Sequence, residues 1–170
     1  EDRLDAYKLM AIRADIVDVY VFRRQPAGAI DLLQLLRAED PDTTLGNTWQ
    51  PVMGHIEPGE TASACARREL EEELGLLPTN PAFRGLWALE QVHPYFLAAK
   101  DQIILSPRFA CEVAPAWQPT LNHEHTAARW VPADQSEEWF MWPGQIAAID
   151  EIVRSLLAED SLSRERLRIQ

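Results

Sequence analysis

Apolar positions follow two rhythms along this chain, one with a period of two and one with a period near 3.6. Residues 16–23 (IVDVYVFR) are dense in β-branched and aromatic side chains and predict a strand. Gln25-Pro26-Ala27-Gly28 reads as a turn. Residues 30–36 (IDLLQLL) read as the paired strand, although the same leucines would also suit a helix. A polar loop over 38–47, with Pro41 and Gly46, leads to 48–53 (TWQPVM). Residues Ala62–Leu74 contain no Gly or Pro, and Ala62, Ala66, Leu70 and Leu74 recur at i, i+4, so a helix with a buried ridge is expected. Thr61 is placed to cap its start and Gly75 to end it in the left-handed conformation.

The second half repeats the scheme. Strands are expected over 84–92, with Trp87 and Leu89 on one side, and over 103–105 and 108–113, interrupted at Pro107. Residues 78–81 and 115–119 are Pro-rich loops, and His93-Pro94 breaks a strand. Residues 142–157 (WPGQIAAIDEIVRSLL) predict a helix with Pro143 in its first turn. Ile146, Ile149, Val153, Leu156 and Leu157 would be its apolar face. The lead-in (1–14) is mixed, and the polar tail (161–170) reads as either helical or loose. Strands, a helix, strands and a helix point to an α+β or α/β class.

Chemistry concentrates at 54–76, GHIEPGETASACARRELEEELGL. Glu69, Glu72 and Glu73 stand at i, i+3, i+4 and share one helix face. Arg67 and Arg68 precede this cluster and none lies within it. A solvated acidic helix is the plain alternative. However, hard divalent cations take carboxylate oxygens, and Mg²⁺ commonly sits between carboxylates and substrate phosphates. The whole segment fits G-x5-E-x7-R-E-U-x-E-E-x-G-U, where U is a bulky aliphatic, with Gly54, Glu60, Arg68, Glu69, Glu72, Glu73 and Gly75 at the single-residue positions. At background frequencies such a match arises by chance roughly once in a hundred million start positions.

This pattern resembles the signature box of the Nudix hydrolases. The resemblance implies a mixed sheet between helices, an α/β/α sandwich, with residues 1–170 as one domain. It also implies Mg²⁺-dependent hydrolysis of a nucleoside diphosphate linked to another group, with Mn²⁺ equally suited to the oxygen ligands. Glu72 and Glu73 are then the foremost metal ligands, Glu69 is a ligand or the base, and Arg68 orients Glu69 with Glu60 as its partner. The backbone carbonyl before the box is a further ligand in this family; it belongs here to Met53, where Gly is common. Glu124, six residues before Trp130, resembles a loop carboxylate that serves as ligand or base. The Glu124-His125-x4-Trp130 spacing, Trp49-Gln50 and Trp142 resemble the dihydroneopterin triphosphate and dATP pyrophosphatase branch.

Trp49 is a candidate to stack on a base or to pack beneath the loop. Arg13 is a candidate phosphate contact or an ordinary surface residue. The loops around Trp49, Tyr95-Phe96 and Trp117 are expected to read the substrate. ADP-ribose, nucleotide sugars and dinucleoside polyphosphates stay open as substrates, as does a module that senses a nucleotide without cleaving it. His123 and His125 raise a zinc site, but zinc usually requires three or four protein ligands. His55 is not a fixed box position, and His93 is read as structural.

Composition narrows the partners. A net charge of −11 over 170 residues argues against a nucleic-acid backbone and against a cap-removing role on mRNA. It leaves a small nucleotide, bridged by metal, as the expected partner. Two cysteines, Cys65 and Cys111, indicate no disulfide framework and point to a reducing cytoplasm. No run of 18 apolar residues suggests a membrane span, and Glu1-Asp2-Arg3 is not read as a signal peptide. A homodimer is compatible with all of this.

Overall fold

The β-branched run that opens the sequence argument forms the longest strand, and the fold is built around it. A computed structural model describes residues 10–39 and 46–170. The remainder of the expected lead-in (1–9) and most of the expected polar loop (40–45) lie outside the described residues. The strands are β1 (Ala11–Arg13), β2 (Ile16–Arg24), β3 (Ile30–Arg37), β4 (Trp49–Gln50), β5 (Val52–His55), β6 (Phe83–Ala88), β7 (Tyr95–Leu97), β8 (Gln102–Ile104), β9 (Arg108–Val113) and β10 (His125–Pro132). The helices are α1 (Ala62–Leu74), α2 (Ser136–Trp139), α3 (Pro143–Glu151) and α4 (Arg164–Leu167).

A mixed sheet runs in the order β10-β3-β2-β9-β6, with β4 beside β3 and β5 beside β2. Strands β2 and β9 are parallel, and the other pairs of this sheet are antiparallel. A smaller sheet, β1-β8-β7, stands apart. Strand β2 alternates between two cores. Val17, Val19 and Val21 face α1, together with Leu70 and Leu74. Tyr20 and Phe22 face the opposite way, toward Ala148 and Ile149 of α3. Burial on both sides explains why the strand reads as an almost unbroken apolar run. The layers are therefore helix, sheet, helix. Among the described residues, no helix is long and apolar enough to cross a membrane.

Helix α1 forms as its caps dictate. The Thr61 hydroxyl accepts the Ala64 N–H at 3.2 Å. At the other end Gly75 adopts φ +64°, and its N–H returns to the Glu71 carbonyl at 2.9 Å. A Thr120 N–H bond to the Leu74 carbonyl (3.0 Å) ties the helix end to the loop that leads to β10.

The structure corrects the sequence reading in four places. The expected 84–92 strand ends at Ala88. Short strands β1 and β7 pair with β8 where none was expected, because three-residue edge strands carry too little periodicity to read. A short helix, α2, precedes the C-terminal one. The expected 142–157 helix is α-helical only to Glu151, and Ile152–Leu156 follow as a π turn. The Leu157 N–H reaches back to the Ile152 carbonyl at 2.9 Å. Within this stretch Ile152 and Leu156 are buried and Val153 lies exposed.

The polar tail is docked. Arg168 bridges Trp87 and the Ile169 N–H meets the Leu86 carbonyl at 2.9 Å, so the tail runs along the outer edge of β6. Arg164 adds an ion pair to Glu112 at 3.4 Å.

Leu70 is the central residue of the α1 ridge and is fully buried. Leu70→Ala is expected to lower stability by about 3 kcal/mol, read from the urea midpoint, through lost burial and a residual cavity. A loss below about 1 kcal/mol would contradict the packing described.

Candidate active site

The loop between β5 and α1 and the polar side of α1 form one charged network, centred on Arg68. Its Nε and Nη2 donate to the two carboxylate oxygens of Glu60, each at 3.0 Å. Nη2 also reaches the His55 carbonyl at 2.9 Å. Nη1 donates to Glu69 Oε1 at 2.6 Å and Glu72 Oε2 at 3.1 Å. The Glu57 N–H closes the loop onto Glu60 Oε2 at 3.0 Å. These bonds hold the Glu60 carboxyl below its usual range. The absence of a cation within the acidic run is thus made good from one residue before it, since Arg68 reaches forward along the helix.

The carboxylates divide by burial. Glu72 is exposed, whereas Glu69 and Glu73 are buried. Burial raises the Glu69 carboxyl, Glu72 and Glu124 add to the rise, and Arg68 opposes it. Glu73 is 1% exposed. Burial, with Glu69 and Glu124 alongside, pushes its carboxyl up to about 9, against a hydrogen bond from the Met53 backbone and the charge of Arg37. Glu73 Oε2 has no hydrogen-bond partner. The buried His125 ring stands 3.8 Å away with both nitrogens also unpartnered. Burial pushes the His125 pKa down. The Met53 backbone that leads into the box therefore lies beside Glu73.

Glu124 precedes β10, and its carboxylate lies 3.7 Å from Arg37. Gly54 is needed for close approach, since a Cβ there would stand 1.9 Å from Glu69 Oε1. Sequence reading had taken His125 as half of a zinc pair and as part of the Glu124-His125-x4-Trp130 spacing. The structure separates the pair, with His123 exposed and His125 buried against Glu73.

The donor set suits a hard divalent cation: buried carboxylates, one oxygen without a partner, and an adjacent backbone. Among the described residues, no three His, Cys, Asp or Glu side chains converge closely enough to enclose an ion. Arg68 on Glu69 and Glu72, and Arg37 beside Glu124, occupy the carboxylates that would have to turn inward.

The outlying candidates fall in different places. Arg13 is engaged by Asp15 (Nε–Oδ1 3.0 Å, Nη2–Oδ2 2.5 Å). Asp15 lies 3.8 Å from His55 of the box. One face of Trp49 is covered by the Arg129 guanidinium at 3.9 Å. Trp117 packs edge-on to Trp130 (6.4 Å) and against the α1 core. Tyr95 and Phe96 are exposed on the small sheet.

The family model for the NUDIX domain matches residues 13–152, which includes the box, the central sheet and α3. The chain belongs to the Nudix hydrolases. Solved structures of this Nudix fold align along most of their length. The E. coli dihydroneopterin triphosphate pyrophosphohydrolase matches with a TM-score of 0.67 at 22% identity, covering 86% of this chain and 99% of that one. An Ap4A hydrolase of C. elegans matches with a TM-score of 0.65 at 20% identity, covering 84% of this chain and 96% of that one. A curated Myxococcus xanthus protein, an octanoyltransferase, is 34% identical over 101 residues, or 58% of this chain. The Nudix chain spans 27% of that protein's length.

Two outcomes test the geometry. Gly54→Ala is expected to displace Glu69 and lower kcat at least about tenfold, with little change in unfolding midpoint, because the atom it meets is the end of a flexible side chain. Unchanged kcat would remove Glu69 from the site. The second outcome concerns pH. A carboxyl whose pKa rises on folding from 4.5 to about 9 stabilises the fold fully below 4.5, and that contribution is lost as pH climbs to about 9. In EDTA, the unfolding temperature of the wild type should therefore fall relative to Glu73→Gln across this window. Parallel curves would show Glu73 to be less desolvated than described.

Proposed function

We propose that this chain hydrolyses a nucleoside diphosphate linked to a further group, with a nucleoside triphosphate or dihydroneopterin triphosphate as substrate and the monophosphate and pyrophosphate as products. The observation that carries this reading is the buried Glu73 carboxylate, whose Oε2 has no hydrogen-bond partner, with Glu69 and Glu124 alongside. Like charges in a desolvated site are costly unless a cation compensates them. Glu69, Glu72, Glu73, Glu124 and the Met53 carbonyl would hold Mg²⁺, or Mn²⁺, whose preference for oxygen is similar. Such an ion supplies charge neutralisation at the pyrophosphate and a more acidic attacking water.

The chain's own residues do the rest. Glu69 or Glu124 accepts the proton of the attacking water. Arg68 positions Glu69, and Glu60 fixes Arg68 against the loop. Placement of the water and the scissile phosphate within a water-poor site lowers the barrier. The fold does not choose the substrate, since a pterin triphosphate enzyme and an Ap4A hydrolase share it. The Glu124-His125-x4-Trp130 spacing and Trp49-Gln50 favour triphosphates. In this reading, residues 1–170 work as one domain on a small molecule in the cytoplasm, as monomer or homodimer.

A second reading is a Nudix-fold module that binds a nucleotide without cleaving it. The engagement of Glu69 and Glu72 by Arg68 favours it to the extent that these carboxylates would need to be released.

The test is a screen with Mg²⁺, with and without EDTA, over dNTPs, NTPs, dihydroneopterin triphosphate, ADP-ribose, NADH and dinucleoside polyphosphates. EDTA-sensitive pyrophosphate release from triphosphates is expected, and Glu73→Gln should abolish it while the far-UV spectrum is unchanged. Turnover confined to ADP-ribose, NADH or dinucleoside polyphosphates would keep the chemistry and overturn the substrate class. Binding without turnover of any compound would establish the second reading.

A further inference from the structure

Arg129 of β10 places its guanidinium over two tryptophan rings. Its guanidinium lies 3.9 Å from the Trp49 ring centre and 4.6 Å from that of Trp139. Its Nε donates to Gln34 Oε1 at 2.9 Å, and Gln34 Nε2 donates to the Trp139 carbonyl at 2.9 Å. Gln34 is fully buried, so it fixes the direction of the fork. The two Nη groups have no hydrogen-bond partner among the described residues, and no carboxylate there forms an ion pair with Arg129. In a chain with a net charge of −11, an arginine stacked, aimed and left without an acid is unusual.

Sheet register places this fork relative to the carboxylates. Arg129 pairs with Gln34, and Trp49 with Leu36, so all four stand on the sheet face toward α2 and α3. Trp49, at alternating positions from Met53, shares its face, and Met53 pairs with Asp18 on that same face. Trp49 and Met53 are separated by roughly 13 Å of extended chain. That exceeds the reach of a pyrophosphate and suits the span from a nucleotide's phosphates to its base.

We infer that Arg129, set over the Trp49 and Trp139 rings, reads the base of the substrate and selects a ring with a carbonyl oxygen beside a ring nitrogen, as in guanine or a pterin, over adenine. This rests on the nucleotide-hydrolase reading above and narrows its substrate class. The chemistry is donor matching. Two Nη groups pair bidentately with the adjacent O6 and N7 acceptors of guanine. Adenine presents an amino donor in place of O6, so one Nη would face a donor and lose its partner. A pterin offers its carbonyl oxygen and ring nitrogen in the same arrangement. Glutamine at this position would instead suit adenine, accepting from its amino group and donating to N7.

The experiment measures kcat/KM for dGTP and dATP with Mg²⁺, and binding of dGMP and dAMP by calorimetry in EDTA. The wild type is expected to favour guanine in both by roughly ten- to a hundredfold. Arg129→Gln should bring the ratio to unity or invert it. Arg129→Lys, which keeps the charge and loses the fork, should also collapse the ratio and provides the test if the glutamine variant does not fold. A wild type that treats both bases alike or prefers adenine would overturn the inference, as would variants that lower both substrates in equal proportion. Guanine-selective binding with no turnover of either triphosphate would sustain the base reading and reject the proposed reaction.

Discussion

Packing several carboxylates against an apolar sheet costs free energy, and the arrangement of the box depends on how that cost is met. Arg68 meets part of it. One guanidinium binds Glu60, Glu69, Glu72 and the His55 carbonyl, and so fastens the β5–α1 loop to the first turns of the helix. What Arg68 does not reach is Glu73, one turn further and deeper, where burial and neighbouring acids leave a carboxylate with an unpartnered oxygen. The charged network is thus compensated at the solvent side and uncompensated at the sheet side. In the reading proposed above, a cation and a polyanionic substrate would complete this network.

The sheet supports this polarity by presenting different chemistry on its two faces. Strand β2 sends valines to α1 and Asp18, Tyr20 and Phe22 toward α3. Strands β4 and β5 lie between the diverging ends of β3 and β2, so Trp49 and Met53 connect the aromatic-cationic cluster of one layer with the carboxylates of the other. Buried Arg108 on β9 continues the polar face, pairing with Asp18 at 3.3 Å and donating to the Gly144 carbonyl at 2.7 Å. Gly144 makes this contact feasible, since a Cβ would lie 2.8 Å from the guanidinium.

Much of this was legible in the sequence where local signals agree. Thr61, the uninterrupted 62–74 segment and Gly75 specify α1 to the residue, and the β-branched density of 16–23 specifies the central strand, which runs one residue further, to Arg24. The resemblance to the Nudix box implied Glu69 and Glu60 as partners of Arg68, whereas its bonds to Glu72 and the His55 carbonyl emerge only in the folded loop and helix. Other features arise from tertiary context. Ile152 and Val153 stand three and four positions after Ile149, and which of the two apolar side chains is buried is decided by packing against the sheet rather than by residue type. Three-residue strands such as β1 and β7 exist only through their neighbour β8. The burial of His125 and the placement of Arg129 over its two tryptophans require strands distant in sequence to meet, which no local pattern records.

The docked tail has a consequence beyond packing. Strand β6 would otherwise end the central sheet with unpaired backbone groups, a ready template for another chain. Ile169 satisfies the Leu86 carbonyl, and the flanking Arg164 and Arg168 lie over the Trp87 ring at 5.3 and 5.5 Å. Covering and charging the strand in this way guards the protein against edge-to-edge aggregation.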